Sequence, residues 1–188
     1  RIQYAWTHRK EEIAAQADQL TAFLKNASNA VQVSSLSAFE KQDIILAQNK
    51  LLQLGDKESG GFGSAPKFPG IMSIQFLLEA YKLTHDEEEL QHAVFSIDAL
   101  LCGGIYDCLG SGLCRYTVDK AWLIPHFEKM LYDNALLISV LCDAYTVTKN
   151  EVYKTVIDDL IKFANRELKG DHDLYYCAID ADSEGEEG

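Results

Sequence analysis

The chain has 188 residues, 47% of them hydrophobic, which is enough to bury a real core and demands no second domain. Lys and Arg number 17 against 29 Asp and Glu, and the resulting net charge of −12 repels phosphate backbones and anionic lipid surfaces, so a nucleic-acid partner is excluded. The uncharged run Asn134 to Cys142 is much shorter than the ~20 apolar residues of a membrane span, so a soluble chain is expected.

At the start there is neither an apolar signal core nor an Arg-rich transit pattern, and Arg1 stands where an initiator Met would. The chain stops inside a loop at Ser183 to Gly188, so both ends are expected to be cuts from a longer protein. Apolar spacing of three and four predicts six helices, near 8–26, 36–54, 71–84, 87–102, 126–148 and 151–168, and no strand pattern competes. The first, with Ile13, Ala17, Leu20 and Leu24 on one face, reads as a linking helix within a segment 1–35. The second mixes Lys41, Asp43, Gln48, Asn49 and Lys50 with Ile44, Ile45, Leu51 and Leu52. The helices at 71–84 and 126–148 are apolar nearly all round, as enclosed helices are. Those at 87–102 (Leu90, Ala93, Val94, Ile97, Leu100, Leu101) and 151–168 (Val152, Val156, Ile157, Leu160, Ile161, Ala164) carry a single stripe and are expected to be half exposed. From the second helix onward the order is therefore outer, inner, outer, inner, outer: an all-α fold of two concentric layers over 36–188.

A weak internal repeat supports the scheme, since Leu77, Ala80, Tyr81, Thr84, Asp86 and Glu87 return as Leu141, Ala144, Tyr145, Thr148, Asn150 and Glu151. The inner-to-outer turns are short, whereas the connections at 55–70, 103–125 and 169–188 are long and rich in Gly, aromatic and polar residues. Because successive helices run antiparallel, these three loops are expected at one end, which is the candidate functional face.

In the first loop the glycines match neither GxGxxG nor GxxxxGK[ST], and Lys67 is the residue with a ligand role to offer. The second loop, through Tyr106, Asp107, Arg115, Tyr116 and Trp122, leads into Pro125-His126-Phe127-Glu128-Lys129. Pro125 suits the first position of a helix, which would set His126 in the first turn, where the dipole disfavours an imidazolium and leaves a neutral base. His126, Lys129 and Asp133 would then share one helical face and Glu128 and Tyr132 another. In the third loop, past Tyr175, the residues Asp180, Asp182, Glu184 and Gly185 imitate the opening of a calcium loop without its closing Glu, and carboxylates lining a polar cleft are the preferred reading. Five cysteines with no CxxC pair argue against a disulfide framework and for a reducing, cytoplasmic setting.

Gly60-Gly61-Phe62-Gly63 with Ala65-Pro66-Lys67-Phe68-Pro69, Gly104-Ile105-Tyr106-Asp107, Arg115-Tyr116 with Asp119, Trp122 with the run Pro125 to Ala135, and Asp180-Ala181-Asp182-Ser183-Glu184-Gly185 resemble the signature blocks of the thioredoxin-like YyaL and spermatogenesis-associated family. The resemblance implies an upstream thioredoxin-like domain and then a six-hairpin helical toroid similar to N-acylglucosamine 2-epimerases and glycosidases, of which 36–188 would be about the first half. Cys108 and Cys114 stand where the family pattern usually has His, and Leu113 where an aromatic is common, which puts in doubt any chemistry that needs those imidazoles. Together with His126 the two thiols would make a weak soft-metal set, and structural thiols are the safer reading; no metal or other cofactor is expected.

Two functions compete. One is a carbohydrate-active enzyme, working by proton transfer as in sugar epimerisation or by paired carboxylates as in glycoside hydrolysis. There His126, Asp107, Asp133, Asp180 and Asp182 are the candidate proton-transfer groups, and Lys67, Tyr106, Arg115, Tyr116, Trp122, Glu128 and Tyr175 the candidate substrate contacts. The other is a non-catalytic module that binds a glycan or a protein and serves an attached thioredoxin-like redox domain.

Overall fold

A computed structural model describes residues 2–29, 40–183 and 185–187. These divide into two compact units, Arg1–Glu40 and Lys41–Gly188. The first holds α1 (Ile2–His8) and α2 (Lys10–Asn29), linked by backbone bonds from Arg9 N to Ala5 O and from Ile13 N to Arg9 O. The predicted apolar face of α2 stays largely open, with Leu20 and Leu24 both more than half exposed.

The second unit holds α3 (Lys41–Leu54), α4 (Ile71–Thr84), α5 (Glu87–Cys102), α6 (Leu131–Thr148) and α7 (Glu151–Phe163). Residues 36–39, placed by their spacing in the helix that becomes α3, lie outside the described residues. The inner helices α4 and α6 pack on each other and each on the outer helix that follows it, while α3 covers α4 and α5. Their shared core runs through Ile74, Leu77, Leu78, Ile97, Leu100, Leu137, Val140 and Leu141, all fully buried. The unit is thus all-α and two-layered, as the spacing predicts. Each inner helix nevertheless leaves one line open, Met72, Glu79 and Leu83 on α4 and Tyr132, Ala135, Ser139, Cys142 and Thr146 on α6. On α7 the buried face is turned from the expected one: Tyr153, Leu160 and Phe163 are covered while Val152 and Ile161 are exposed. A hydrogen bond from Tyr153 Oη to Asp98 on α5 (2.8 Å) fixes that rotation, and a π-helical turn, Ala164–Leu168, replaces the expected last turns.

The repeat is a structural one. At the α4–α5 turn, Thr84 Oγ1 donates to Ala80 O and accepts from Asp86 N, Asp86 caps Glu88 N, and Tyr81 Oη reaches Glu87. At the α6–α7 turn Thr148, Asn150, Val152, Tyr145 and Glu151 make the same bonds in the same order. His85 and Lys149 end the two inner helices in the left-handed region, both at φ 58°.

The fifth predicted helix is shorter than expected and begins at Leu131. Pro125–His126 (β2) pairs antiparallel with Tyr116–Thr117 (β1), and Lys129–Met130 (β3) pairs with Ala178–Ile179 (β4). A third ladder joins Asp182–Ser183 (β5) to Glu186–Glu187 (β6). Strands of two residues leave no periodicity to detect, and here tertiary pairing overrides local helical spacing. Loops one and two are also joined, by mutual backbone bonds between Lys67 and Thr117 (2.8 and 2.9 Å). The three long loops therefore meet at one rim.

Two rim loops share a brace. In the first, Asp56 Oδ1 accepts from Glu58 N and Ser59 N, its Oδ2 takes Lys67 Nζ at 2.7 Å, and that ammonium also donates to Lys120 O and sits 4.6 Å from the centre of the Trp122 ring. In the second, Asp107 Oδ1 accepts from Leu109 N and Gly110 N, its Oδ2 takes Lys129 Nζ at 2.6 Å, and that ammonium also donates to Ser111 O and sits 5.0 Å from the centre of the Phe163 ring. Each loop closes with a bond from the aspartate N–H to a glycine five residues on, Gly61 or Gly112. Both glycines have positive φ, and a Cβ there would run into the Trp122 or the Phe163 ring.

Burial alone would raise the Asp56 carboxyl, but Lys67 and the two loop N–H groups outweigh it and hold it down to about 2. Asp56 therefore stabilises the fold above the usual carboxylate range, and that contribution, about 2 kcal/mol, is lost as the pH falls from about 4 towards 2. Lys67→Met strands this carboxylate and is expected to cost about 3 kcal/mol in a urea titration at neutral pH. Lys57→Met breaks only an exposed pair with Glu88 and is expected to cost less than about 0.5 kcal/mol.

Candidate active site

The segment 125–130 organises the rim because neighbouring residues along it serve opposite faces. On one face His126 packs edge-on against Tyr116, with ring centroids 4.9 Å apart, and Tyr116 in turn meets Phe68 at 5.0 Å. On the same side Glu128 takes Arg115 Nη1 at 2.6 Å, while the backbone joins Arg115 N to Glu128 O at 2.8 Å. The Arg115 guanidinium also acts electrostatically on Tyr132 and Asp133 of the first turn of α6. The opposite face sends Phe127 and Lys129 into a pocket of about 680 Å³ that Tyr106, Asp107, Cys108 and Phe163 also line.

The expected helical grouping of His126, Lys129 and Asp133 is corrected by this arrangement. The residues from 125 to 130 are not helical, so His126 is no first-turn residue and owes nothing to a helix dipole. Lys129 points to Asp107 rather than along a helix towards Asp133. Glu128 pairs with Arg115 and not with Tyr132.

Asp133 is the titratable group that stands out. Burial pushes its carboxyl up to about 6, and the Arg115 charge restrains it from rising further. A carboxyl that changes charge this close to neutrality is suited to give and take protons. Asp107 goes the other way: burial would raise it, yet Lys129 and the N–H groups of Gly110 and Leu109 prevail and hold it low.

Several other candidates are structural as placed. Lys67 is fully buried inside its brace and Trp122 is 1% exposed, its indole N–H donating to Ser59 O, so neither faces a ligand. Tyr106 lines the pocket, and burial raises its phenol. Tyr175 donates to Asn165 Oδ1 at 2.7 Å. Asp180 and Asp182 are exposed, and Asp180 immediately follows Ile179, the partner of Lys129. Glu184 lies outside the described residues. Asn134, which the spacing did not single out, clamps loop two: its amide accepts from Leu113 N and donates to Leu113 O and Met130 O. All five cysteines are free thiols, with Cys108 exposed and Cys114 buried, and burial raises the Cys114 thiol. Among the described residues no group of three or more His, Cys, Asp or Glu side chains is placed to hold a metal ion, so Cys108, Cys114 and His126 do not assemble as a soft-metal set.

No family model matches the chain. Spermatogenesis-associated protein 20 of Rattus norvegicus is 39% identical over 137 residues, 71% of this chain, and the Homo sapiens protein of that name is 38% identical over the same length. An uncharacterised protein of Caenorhabditis elegans is 36% identical over 68% of this chain. This chain belongs to the spermatogenesis-associated protein 20 family. It spans 17% of the length of the rat and human relatives. Among solved structures, a sugar epimerase from a ruminal bacterium superimposes with a TM-score of 0.61 at 19% identity, covering 73% of this chain and 37% of that one. A cellobiose 2-epimerase from Spirochaeta thermophila gives 0.58 at 17%, covering 74% and 41%, and an unsaturated glucuronyl hydrolase specific for heparin 0.61 at 11%, covering 73% and 42%. These establish the fold: this member of the family is part of an α/α toroid, and the two layers of the second unit are layers of that ring. No described helix is long and apolar enough to cross a membrane.

The Asp133 environment has a direct thermodynamic signature. The folded chain keeps the Asp133 proton up to about pH 6, whereas an unfolded chain releases it near 3.8, so stability falls as the pH rises between those values. Asp133→Asn cannot ionise and is expected to stabilise the protein by about 2 kcal/mol near pH 7 and hardly at all near pH 4. Urea midpoints at the two pH values measure this, and an equal gain at both would trace it to something other than the buried charge.

Proposed function

We propose that this chain is part of a carbohydrate-active toroid whose chemistry is proton transfer on a sugar, epimerase-like or glycosidase-like. The observation that carries the reading is a half-buried carboxyl lifted to about 6, Asp133, beside the Arg115–Glu128 pair at the rim of a fold shared with sugar epimerases and a glycosidic hydrolase. In this reading Asp133 is the acid or base and His126 the second proton-transfer group. Tyr116 packs against the apolar face of a sugar ring, as aromatic side chains do with other apolar surfaces. Arg115 and Glu128 hold hydroxyl groups, and Asp180 and Asp182 add carboxylates to the same rim. Asp107, Tyr106 and Lys67 support the loops.

The thioredoxin-like domain implied by the family resemblance belongs to the same proposal, as a neighbour in a longer chain. The helices α1 and α2 would be the connection to it, and the toroid would continue beyond 188.

The test is turnover by the full-length protein of reducing mono- and disaccharides, with epimerisation read by NMR and hydrolysis by newly formed reducing ends. Asp133→Asn is expected to lower kcat by about 100-fold or more and His126→Ala by about tenfold to 100-fold. The kcat profile should show a limb near pH 6 that Asp133→Asn abolishes. Unchanged kcat in Asp133→Asn removes the proposed mechanism, and calorimetric sugar binding without any turnover would identify a non-catalytic glycan-binding module instead.

A further inference from the structure

The pocket behind segment 125–130 is lined by neither Arg115, His126 nor Asp133. It lies between loop two, the end of α7 and its π-helical turn, and Ile179 of loop three. Its volume of about 680 Å³ falls within the range of small-molecule sites. Three rings form its walls, Tyr106, Phe127 and Phe163, with Ile179 beside them.

Its charged groups are already matched. Lys129 and Asp107 meet at 2.6 Å, and Arg166 Nε meets Glu167 Oε1 at 2.6 Å while its Nη2 donates to Gly110 O at 2.6 Å. A charged ligand that drew Lys129 or Asp107 out of its pair would strand a partner only 34% or 15% exposed, which is unfavourable, while the solvated Arg166–Glu167 pair adds little to that penalty. An uncharged ring avoids that penalty, gains apolar contact with three aromatic walls, and leaves both pairs whole.

We infer that this pocket is a second binding site, separate from the proposed catalytic face, and that it takes a small uncharged aromatic molecule or aromatic group. The inference is independent of the proposed sugar chemistry, which gives proton transfer to Asp133 and His126 and leaves Asp107 to support its loop.

Cys108 provides the readout, since its exposed thiol lines the pocket, while the exposed Cys142 on the open line of α6 serves as an internal reference. The full-length protein is alkylated with N-ethylmaleimide in the presence of increasing indole, and the rate at each cysteine is read by peptide mass spectrometry. Saturating indole is expected to slow Cys108 by at least about fivefold and to leave Cys142 unchanged, as site occupancy requires. Indole-3-acetate, the same ring with a carboxylate, is expected to protect at least about tenfold less well at equal concentration. Phe127→Ala, at a half-exposed wall position, should retain the melting temperature and lose the protection. Unchanged Cys108 labelling at saturating indole, equal slowing at Cys142, or equal protection by the charged analogue would each overturn the assignment. Loss or retention of sugar turnover bears on the proposed function alone.

Discussion

The architecture of the rim rests on one backbone constraint: segment 125–130 is held on both sides, by β1 through Tyr116 and Thr117 and by β4 through Ala178 and Ile179. Backbone N–H and C=O groups in a packed rim must find partners, and these ladders supply them where no helix does. Held in this way, the segment cannot continue α6 backwards. Its side chains divide between two faces, so that the Arg115–Glu128 pair and an apolar pocket are built from adjacent residues.

The two Asp–Lys braces make those loops stiff. In each, one carboxylate ties two loop N–H groups and one ammonium, and the ammonium lies over an aromatic ring from a later part of the chain. A long glycine-rich loop loses much conformational entropy on ordering, and a partly buried, multiply bonded ion pair is the kind of interaction that offsets it. The bracing also divides the labour among the acids. Asp56 and Asp107 are kept ionised by their lysines, whereas Asp133 has burial and only a more distant arginine acting on it. Carboxyls of the same chain thereby titrate in different ranges.

Most of the layered fold was legible in the sequence. The spacing of Leu77, Leu78, Ile97, Leu100, Leu137 and Leu141 marks the buried faces, and the motif shared by Tyr81 to Glu87 and Tyr145 to Glu151 marks the same turn used twice. The convergence of three loops at one end followed from helices running antiparallel. Lys67 and Trp122 were misleading because a lysine and a tryptophan in a glycine-rich loop look available until the chain folds the ring over the ammonium. Asn134 gave no signal, since its role is to bond a backbone segment some twenty residues earlier.

The sequence by itself determined the class of fold, the antiparallel succession of the helices and which loops share a rim, because helical spacing and connection length are local properties. Only the tertiary structure decided that Pro125 to Met130 is extended, that the Asp133 carboxyl is pushed towards neutrality, and that Lys129 pairs with Asp107 instead. Those outcomes depend on pairing between segments distant in the chain and on how deeply a charge is buried, and neither quantity is written in any short stretch of residues.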